Sequence, residues 1–234
     1  KFKAAMMKSI AQSELDRKRF VYGDIGFILL QQVVEAVTGK TLDAYLVSEF
    51  YRPMGLEHTL FQPLNRYKKA DIMPTAANDY LRRQDLCGYV YDEAAAFMGG
   101  VSGNAGLFST AQELGKIYQM ILNEGELDGK RYLRPETCRI FTTEKSAVSH
   151  RGLGYDKPNL KDPKANACAS SAPASVYGHT GFTGTCTWVD PENDLVYIFL
   201  SNRLCPDAWN GKLNSMKIRQ AIQEVIYQSL YTPE

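Results

Sequence analysis

Three features of the 234-residue sequence predict an α+β chain. Helical apolar periodicity dominates up to about residue 142. Three short strand-like runs joined by tight links follow between Ser175 and Leu200, and an amphipathic helical pattern closes the chain. The short links imply antiparallel pairing, and the last helix can cover one face of the resulting sheet.

Taken in order, Asp24 precedes a helix with Ile25, Ile28, Leu29, Val33 and Val37 on one face, and Gly39 stops it. Thr41 is placed to cap a second helix running to about Tyr51, ended by Pro53 and Gly55. From about Gln62 to Met98 periodicity is weak, which predicts irregular chain leading into the glycine-rich run Gly99 to Gly106. Thr110-Ala111-Gln112-Glu113 is a capping box opening a helix that buries Leu114, Ile117, Ile121 and Leu122 and ends near Gly125. Pro135 suits the first position of another short helix. Thr143 to Ala174, rich in Lys, Ser, Pro and Ala, reads as an exposed connection in which only Gly152-Leu153-Gly154-Tyr155 resembles a strand. The strands are Ser175 to His179, Thr183 to Val189 and Leu195 to Leu200. Ile218, Ala221, Ile222, Val225, Ile226 and Leu230 mark the last helix. One domain is expected, with residues 1–142 mainly helical and 143–234 holding the connection, the strands and the closing helix.

Composition narrows the function. With 44% hydrophobic and 23% charged residues the chain can bury a sizeable core, and 27 basic against 26 acidic residues give no electrostatic reason to bind nucleic acid. No apolar run approaches the roughly 20 residues that cross a bilayer. The sequence starts at Lys1 without a secretory leader pattern, and this reads as a cut in a longer protein. Cys87, Cys138, Cys168, Cys186 and Cys205 are odd in number and widely spaced, so buried or incidental thiols are expected rather than disulfides or zinc ligands. His58, His150 and His179 are equally dispersed, so no metal and no cofactor is expected. The Gly99 to Gly106 run lacks the Gly-Lys-Ser/Thr ending of a phosphate loop.

Three phrases carry chemistry. They are Tyr22-Gly23-Asp24-Ile25-Gly26-Phe27-Ile28-Leu29, Gly103-Asn104-Ala105-Gly106-Leu107-Phe108-Ser109-Thr110, and Gly178-His179-Thr180-Gly181-Phe182-Thr183-Gly184-Thr185. In this order they resemble the serine β-lactamase and penicillin-binding protein superfamily, in the subgroup related to class C β-lactamases, with matching segments over most of the chain. Tyr22-Gly23-Asp24 is similar to its Tyr-x-Asn signature and His179-Thr180-Gly181 to its Lys-Thr-Gly signature. The third signature, Ser-x-x-Lys, is absent: no serine has lysine three places later.

The resemblance implies a β-lactamase/transpeptidase-like α+β fold, an antiparallel sheet flanked by helices, with the N-terminal strands and nucleophile helix outside this chain. It also implies a catalytic role for Tyr22 and substrate contacts from Asp24, His179, Thr180, Gly181 and Phe182. A serine hydroxyl attacks well only when a base takes its proton, and Tyr22 stands where the superfamily places a tyrosine for that work. An interior tyrosine with a bonded hydroxyl is the bland alternative. Asp24 replaces an asparagine, so it accepts hydrogen bonds where an amide also donates, and it equally suits a helix N-cap. His179 replaces a lysine and offers only a conditional cation toward a substrate carboxylate. Gly181 leaves room for substrate along the strand edge, and the Phe182 N–H matches an oxyanion donor worth about 3 kcal/mol. Asp92 and Glu93 lie where relatives show His-Asp-Glu, and a solvated loop is the expectation for them.

The function expected is that of the C-terminal part of a serine hydrolase acting on D-Ala-D-Ala type peptides, β-lactams or esters. The fragment itself should be nearly inactive, and the parent periplasmic or secreted. Its partners would be cell-wall-type substrate and the missing N-terminal segment, with self-association through an exposed sheet edge. A non-catalytic peptidoglycan- or partner-binding module is the alternative. A Ser-His-Asp enzyme using His179 or His150 has no Gly-x-Ser-x-Gly elbow to support it.

Overall fold

The computed structural model describes residues 2–14, 20–143 and 145–231. The expectation attached to Lys1 and the part of the 143–174 stretch at Glu144 lie outside the described residues. The chain divides into two compact units, residues 1–113 and 114–234.

The first unit opens with α1 (Phe2–Gln12), α2 (Ile25–Thr38) and α3 (Leu42–Leu46), the last continuing into a π turn over Val47–Tyr51. Gly39, at φ 66°, ends α2 by donating its N–H to Glu35 O at 3.0 Å, the left-handed stop that its lack of a Cβ permits. Asp24 and Thr41 occupy N-cap positions, but neither side chain makes a capping bond. The apolar face of α2 is mostly not buried. Ile28 and Gln31 are buried, whereas Ile25, Leu29, Val33 and Val37 are exposed, Val37 by 80%. Periodicity reports which face is apolar, not which neighbour covers it.

The stretch expected to be irregular holds structure. β1 (Leu60–Phe61), the hairpin of β2 (Pro74–Asp79) and β3 (Gln84–Cys87), α4 (Glu93–Phe97) and β4 (Leu107–Phe108) follow in order. β1 pairs antiparallel with β4, Leu60 opposite Phe108. The hairpin has register shifts on either side of Ala76 and is built from Pro, Ala, Asn, Asp and Gln, residues with little strand preference. In α5 (Ala111–Leu122) only half of the capping box forms. The Glu113 N–H donates to Thr110 Oγ1 at 3.3 Å, while the Glu113 carboxylate turns to residues 57–59.

The second unit contains the two-residue pair β5 (Glu126–Leu127) and β6 (Lys130–Arg131), α6 (Pro135–Thr143), and strands β7 (Tyr177–Thr180), β8 (Cys186–Asp190) and β9 (Leu195–Phe199). α7 (Lys212–Ser215) and α8 (Ile218–Tyr231) complete it. The strands form one antiparallel sheet in the order β7-β8-β9, as the short links require. Trp188, Tyr197, Tyr227, Val176 and Cys186 form its core, with Tyr227 donating its hydroxyl to buried Asp190 at 2.9 Å. α8 packs through Gln223, Ile226 and Tyr227, and leaves Ile222, Val225 and Leu230 of the predicted stripe exposed.

The exposed-connection reading of 143–174 is corrected in part. Asp156, Lys157, Cys168, Ala169 and Ala172 are buried, and the Ala169 N–H donates to Gln223 Oε1 at 2.8 Å. Residues 152–155 form no strand, and the sheet-like contact falls one residue later, between Asp156 and Gly178. Among the described residues no helix is long and apolar enough to cross a membrane.

Candidate functional site

In the first unit, Tyr22 lies in the loop before α2 and is 56% exposed. Asp24, two residues on, is half-buried and hydrogen-bonded to the Asn104 side chain. Asn104 Nδ2 also donates to Asp92 Oδ1 at 3.1 Å, and Asn104 Oδ1 accepts from the buried Ser102 hydroxyl at 2.7 Å. One amide therefore joins two carboxylates. Burial, and then the negative charge of Asp92, push the Asp24 carboxyl above its ordinary value, an effect the Asn104 bond only partly offsets. Asp92 is not in a solvated loop: it caps α4 by accepting from the Ala95 N–H at 2.7 Å. Glu93 accepts from the Tyr80 hydroxyl.

The glycine-rich run is held on α2 by Gln31. The Gly103 N–H donates to Gln31 Oε1 at 3.1 Å, and Gln31 Nε2 donates to Val101 O at 3.2 Å. A Cβ on Gly103 would stand 2.2 Å from Phe27 O, so only glycine lets the loop backbone lie this close to the helix. Beside this region a cavity of about 400 Å³ is lined by Gln62, Arg82, Tyr89, Gly99, Gly100 and Phe108, among others, but by neither Tyr22 nor Asp24.

In the second unit, β7 carries His179 and Thr180, paired opposite Thr187 and Cys186. Gly178 is required by packing, since its Cβ would meet Thr187 O at 2.0 Å. Gly181 has a reason beyond room for substrate: its Cβ would fall 2.2 Å from Thr185 Oγ1, inside the turn closed by the Gly181 N–H to Thr185 O bond of 2.8 Å. Phe182 follows on that turn with its ring 64% exposed. Arg203 holds it, donating to Phe182 O at 2.7 Å and lying 4.3 Å over the ring.

His179 Nδ1 is 2.7 Å from Thr180 O, and Nε2 is 3.1 Å from Arg151 Nη1. Arg151 Nη2 reaches Asp156 Oδ2 at 3.4 Å. His150 Nε2 approaches Asp156 Oδ1 at 2.9 Å, without the alignment of a hydrogen bond. Asp156 is buried and exchanges both backbone bonds with Gly178, which ties the Arg151 segment to β7.

Four of the five cysteines are buried and all five are free, as their spacing predicts. Among the described residues no cluster of three or more His, Cys, Asp or Glu is arranged to hold a metal. Around the motif residues Tyr22, Asp24 and His179 to Phe182 the structure adds contacts from Gln31, Asn104 and Arg151, of which only Asn104 lies in one of the three phrases. Gln31 left one signal, an amide inside a nearly continuous apolar helix.

Residues 1–215 match the family described as Beta-lactamase. An Escherichia coli (strain K12) protein named "Putative D-alanyl-D-alanine carboxypeptidase" is 37% identical over 197 residues, covering 79% of this chain and 45% of the relative. This chain thus spans about half the length of the curated relatives it matches. Among solved structures, a β-lactamase from Mycobacterium bovis superposes with TM-score 0.60 at 20% identity, over 92% of this chain and 65% of that one. An octameric penicillin-binding protein homologue from Pyrococcus abyssi gives 0.61 at 17%, over 97% and 51%. At these identities the superpositions establish the fold alone.

Proposed function

The chain belongs to the Beta-lactamase family, and from that premise we propose that it supplies the tyrosine and Thr-Gly portions of an acyl-serine hydrolase site whose nucleophile lies outside these 234 residues. One observation carries the reading. The Tyr22 to Asp24 turn and the His179 to Phe182 strand end are each fixed by their own hydrogen bonds, in a sequence with no Ser-x-x-Lys. The exposed apolar residues of α2 support it as well, as a face that further polypeptide would cover.

In the complete site, Tyr22 receives the proton of the attacking serine, directly or by relay, as serine Oγ bonds to the acyl carbon. The Phe182 N–H donates to the resulting oxyanion. Thr180 and the polar groups around His179 meet the carboxylate of the acyl donor. The leaving group departs protonated, and water then hydrolyses the acyl-serine. The name of the Escherichia coli relative favours a D-Ala-D-Ala type peptide as donor, and such a substrate places the full protein outside the cytoplasm. Without the nucleophile the 234-residue chain should lose turnover by a factor on the order of 10⁶.

The test is acylation kinetics in the full translation product of the gene. Tyr22→Phe should slow acylation by about 10²–10⁴-fold, the usual contribution of a positioned base, and Thr180→Val should raise KM for carboxylate-bearing donors. Unchanged acylation in Tyr22→Phe would overturn the assignment. No acylation of the full product at all would favour the non-catalytic module, for which the Asp24 and His179 departures already speak.

A further inference from the structure

We propose that Arg151 is a positioning residue for the Thr-Gly strand end: it holds His179 as the neutral Nδ1–H tautomer, and its guanidinium rather than the imidazole supplies the positive charge there. The functional meaning rests on the site reading above, while the tautomer stands on geometry alone.

The hydrogen bonds leave one consistent arrangement. Thr180 O is a carbonyl and only accepts, so His179 Nδ1, 2.7 Å away, carries a hydrogen. Arg151 Nη1 only donates, so His179 Nε2, 3.1 Å away, presents its lone pair. A hydrogen on Nε2 would turn a second N–H toward the guanidinium and leave no lone pair to accept from it.

Arg151 is itself held in place. Asp156 Oδ2 lies 3.4 Å from Nη2, and Asp156 is buried and bonded through its backbone to Gly178, the residue before His179. The other titratable groups around β7 have partners of their own. His150 faces Asp156, and Lys157 donates to Thr142 O and lies 5.8 Å over the Tyr177 ring. Tyr118 of α5 bonds Thr187, and Tyr155 meets the Tyr177 ring edge-on at 5.0 Å. Cys186, paired opposite Thr180, bonds Tyr197 and is held protonated by burial.

Two consequences follow. His179 cannot stand in for the family's lysine as a cation while this contact holds, and it cannot act as a general base without first giving up Arg151. The charge offered to a carboxylate at the strand end is the guanidinium's, which stays protonated throughout the working pH range.

The test is the ¹⁵N spectrum of the imidazoles in the full 234-residue chain at pH 7.5, with His179 assigned by the signals that disappear in His179→Gln. The expected result is one protonated nitrogen at Nδ1 and one unprotonated at Nε2. In Arg151→Met the Nε2 signal should move further from the protonated range, because Nε2 loses its donor while Thr180 O still holds the hydrogen on Nδ1, and Arg151→Lys, which still donates, should restore the original pattern. An Nε2–H tautomer or a doubly protonated ring in the unsubstituted chain overturns the proposal, with no need for Arg151→Met to fold. So does a folded Arg151→Met with an unchanged spectrum. Because the readout needs no turnover, failure of the hydrolase reading and failure of the tautomer are separately visible.

Discussion

Glu113 gives the sharpest prediction about stability. Its carboxylate accepts from the Glu57 N–H at 2.9 Å, the His58 N–H at 2.9 Å, the Thr59 hydroxyl at 2.6 Å and His58 Nδ1 at 3.0 Å. Glu113 and Thr59 are buried, whereas the His58 side chain is 53% exposed and adds little. Glu113→Ala strands one buried hydroxyl and two backbone donors. A net hydrogen bond to a charged group is worth about 1.5–3 kcal/mol. Thr59 keeps its 2.7 Å contact to Ser109 and recovers part of its loss. The expected cost is therefore about 3 kcal/mol, near the low end for removing one partner of a buried charged set.

The most direct assay is hydrogen exchange at the Glu57 and His58 amides, because a global transition in a chain of two compact units mixes their signals. About 3 kcal/mol corresponds to a loss of protection of roughly 100-fold or more. Glu113→Gln keeps a carbonyl acceptor and should lose about tenfold. Burial alone would raise the Glu113 pKa, but the bonds from Thr59 and His58 outweigh it and hold the carboxyl below its ordinary 4.5. The folded value is the depressed one, so the stabilisation is complete above about pH 4.5 and disappears as pH falls through the folded value. Protection in Glu113→Ala within threefold of the unsubstituted chain would refute the reasoning.

Other perturbations are equally definite. Gly103→Ala drives a Cβ to 2.2 Å from Phe27 O, a backbone atom, and should destabilise the first unit by about 1–3 kcal/mol in urea unfolding. Lys157 is buried and donates to Thr142 O at the last turn of α6. Burial, and then the charge of Lys145, push it down to about 8. A lysine with a depressed folded pKa makes stability rise with pH between about 8 and 10.5, at up to about 1.4 kcal/mol per pH unit, and Lys157→Met should abolish that rise. Asp24→Asn removes a carboxylate whose pKa is raised by burial and by Asp92. It should stabilise the chain at pH 7, the gain vanishing below pH 3.8.

Legibility in the sequence followed the range of the interactions. Gly39 ends α2 and Pro135 starts α6 through bonds made within a few residues, and both were readable. The β7 to β9 sheet was readable because its links are short enough to force antiparallel neighbours. The β2–β3 hairpin was not, because Asn78 at the irregularity in β2 and Arg83 in a turn without glycine take left-handed backbone angles, and the strands lack β-branched runs. Which part of α2 is covered was not readable, because apolar spacing marks a face and does not name a neighbour. Tyr22 and His179 lie in short motifs that the sequence displays, whereas Gln31 bonds a residue 72 positions away and Arg151 meets His179 across 28. The packing of Asp156 on Gly178 creates that last contact, and no local pattern announces it.

On the proposed function, this chain holds the supporting half of an acyl-serine site and not its nucleophile. Mass mapping after a fluorophosphonate or fluorescent penicillin probe, on this chain and on the gene's full translation product in parallel, tests it most directly. The account predicts no labelled serine in the 234 residues and a single labelled serine upstream, in a Ser-x-x-Lys. A label on any serine of this chain would contradict it.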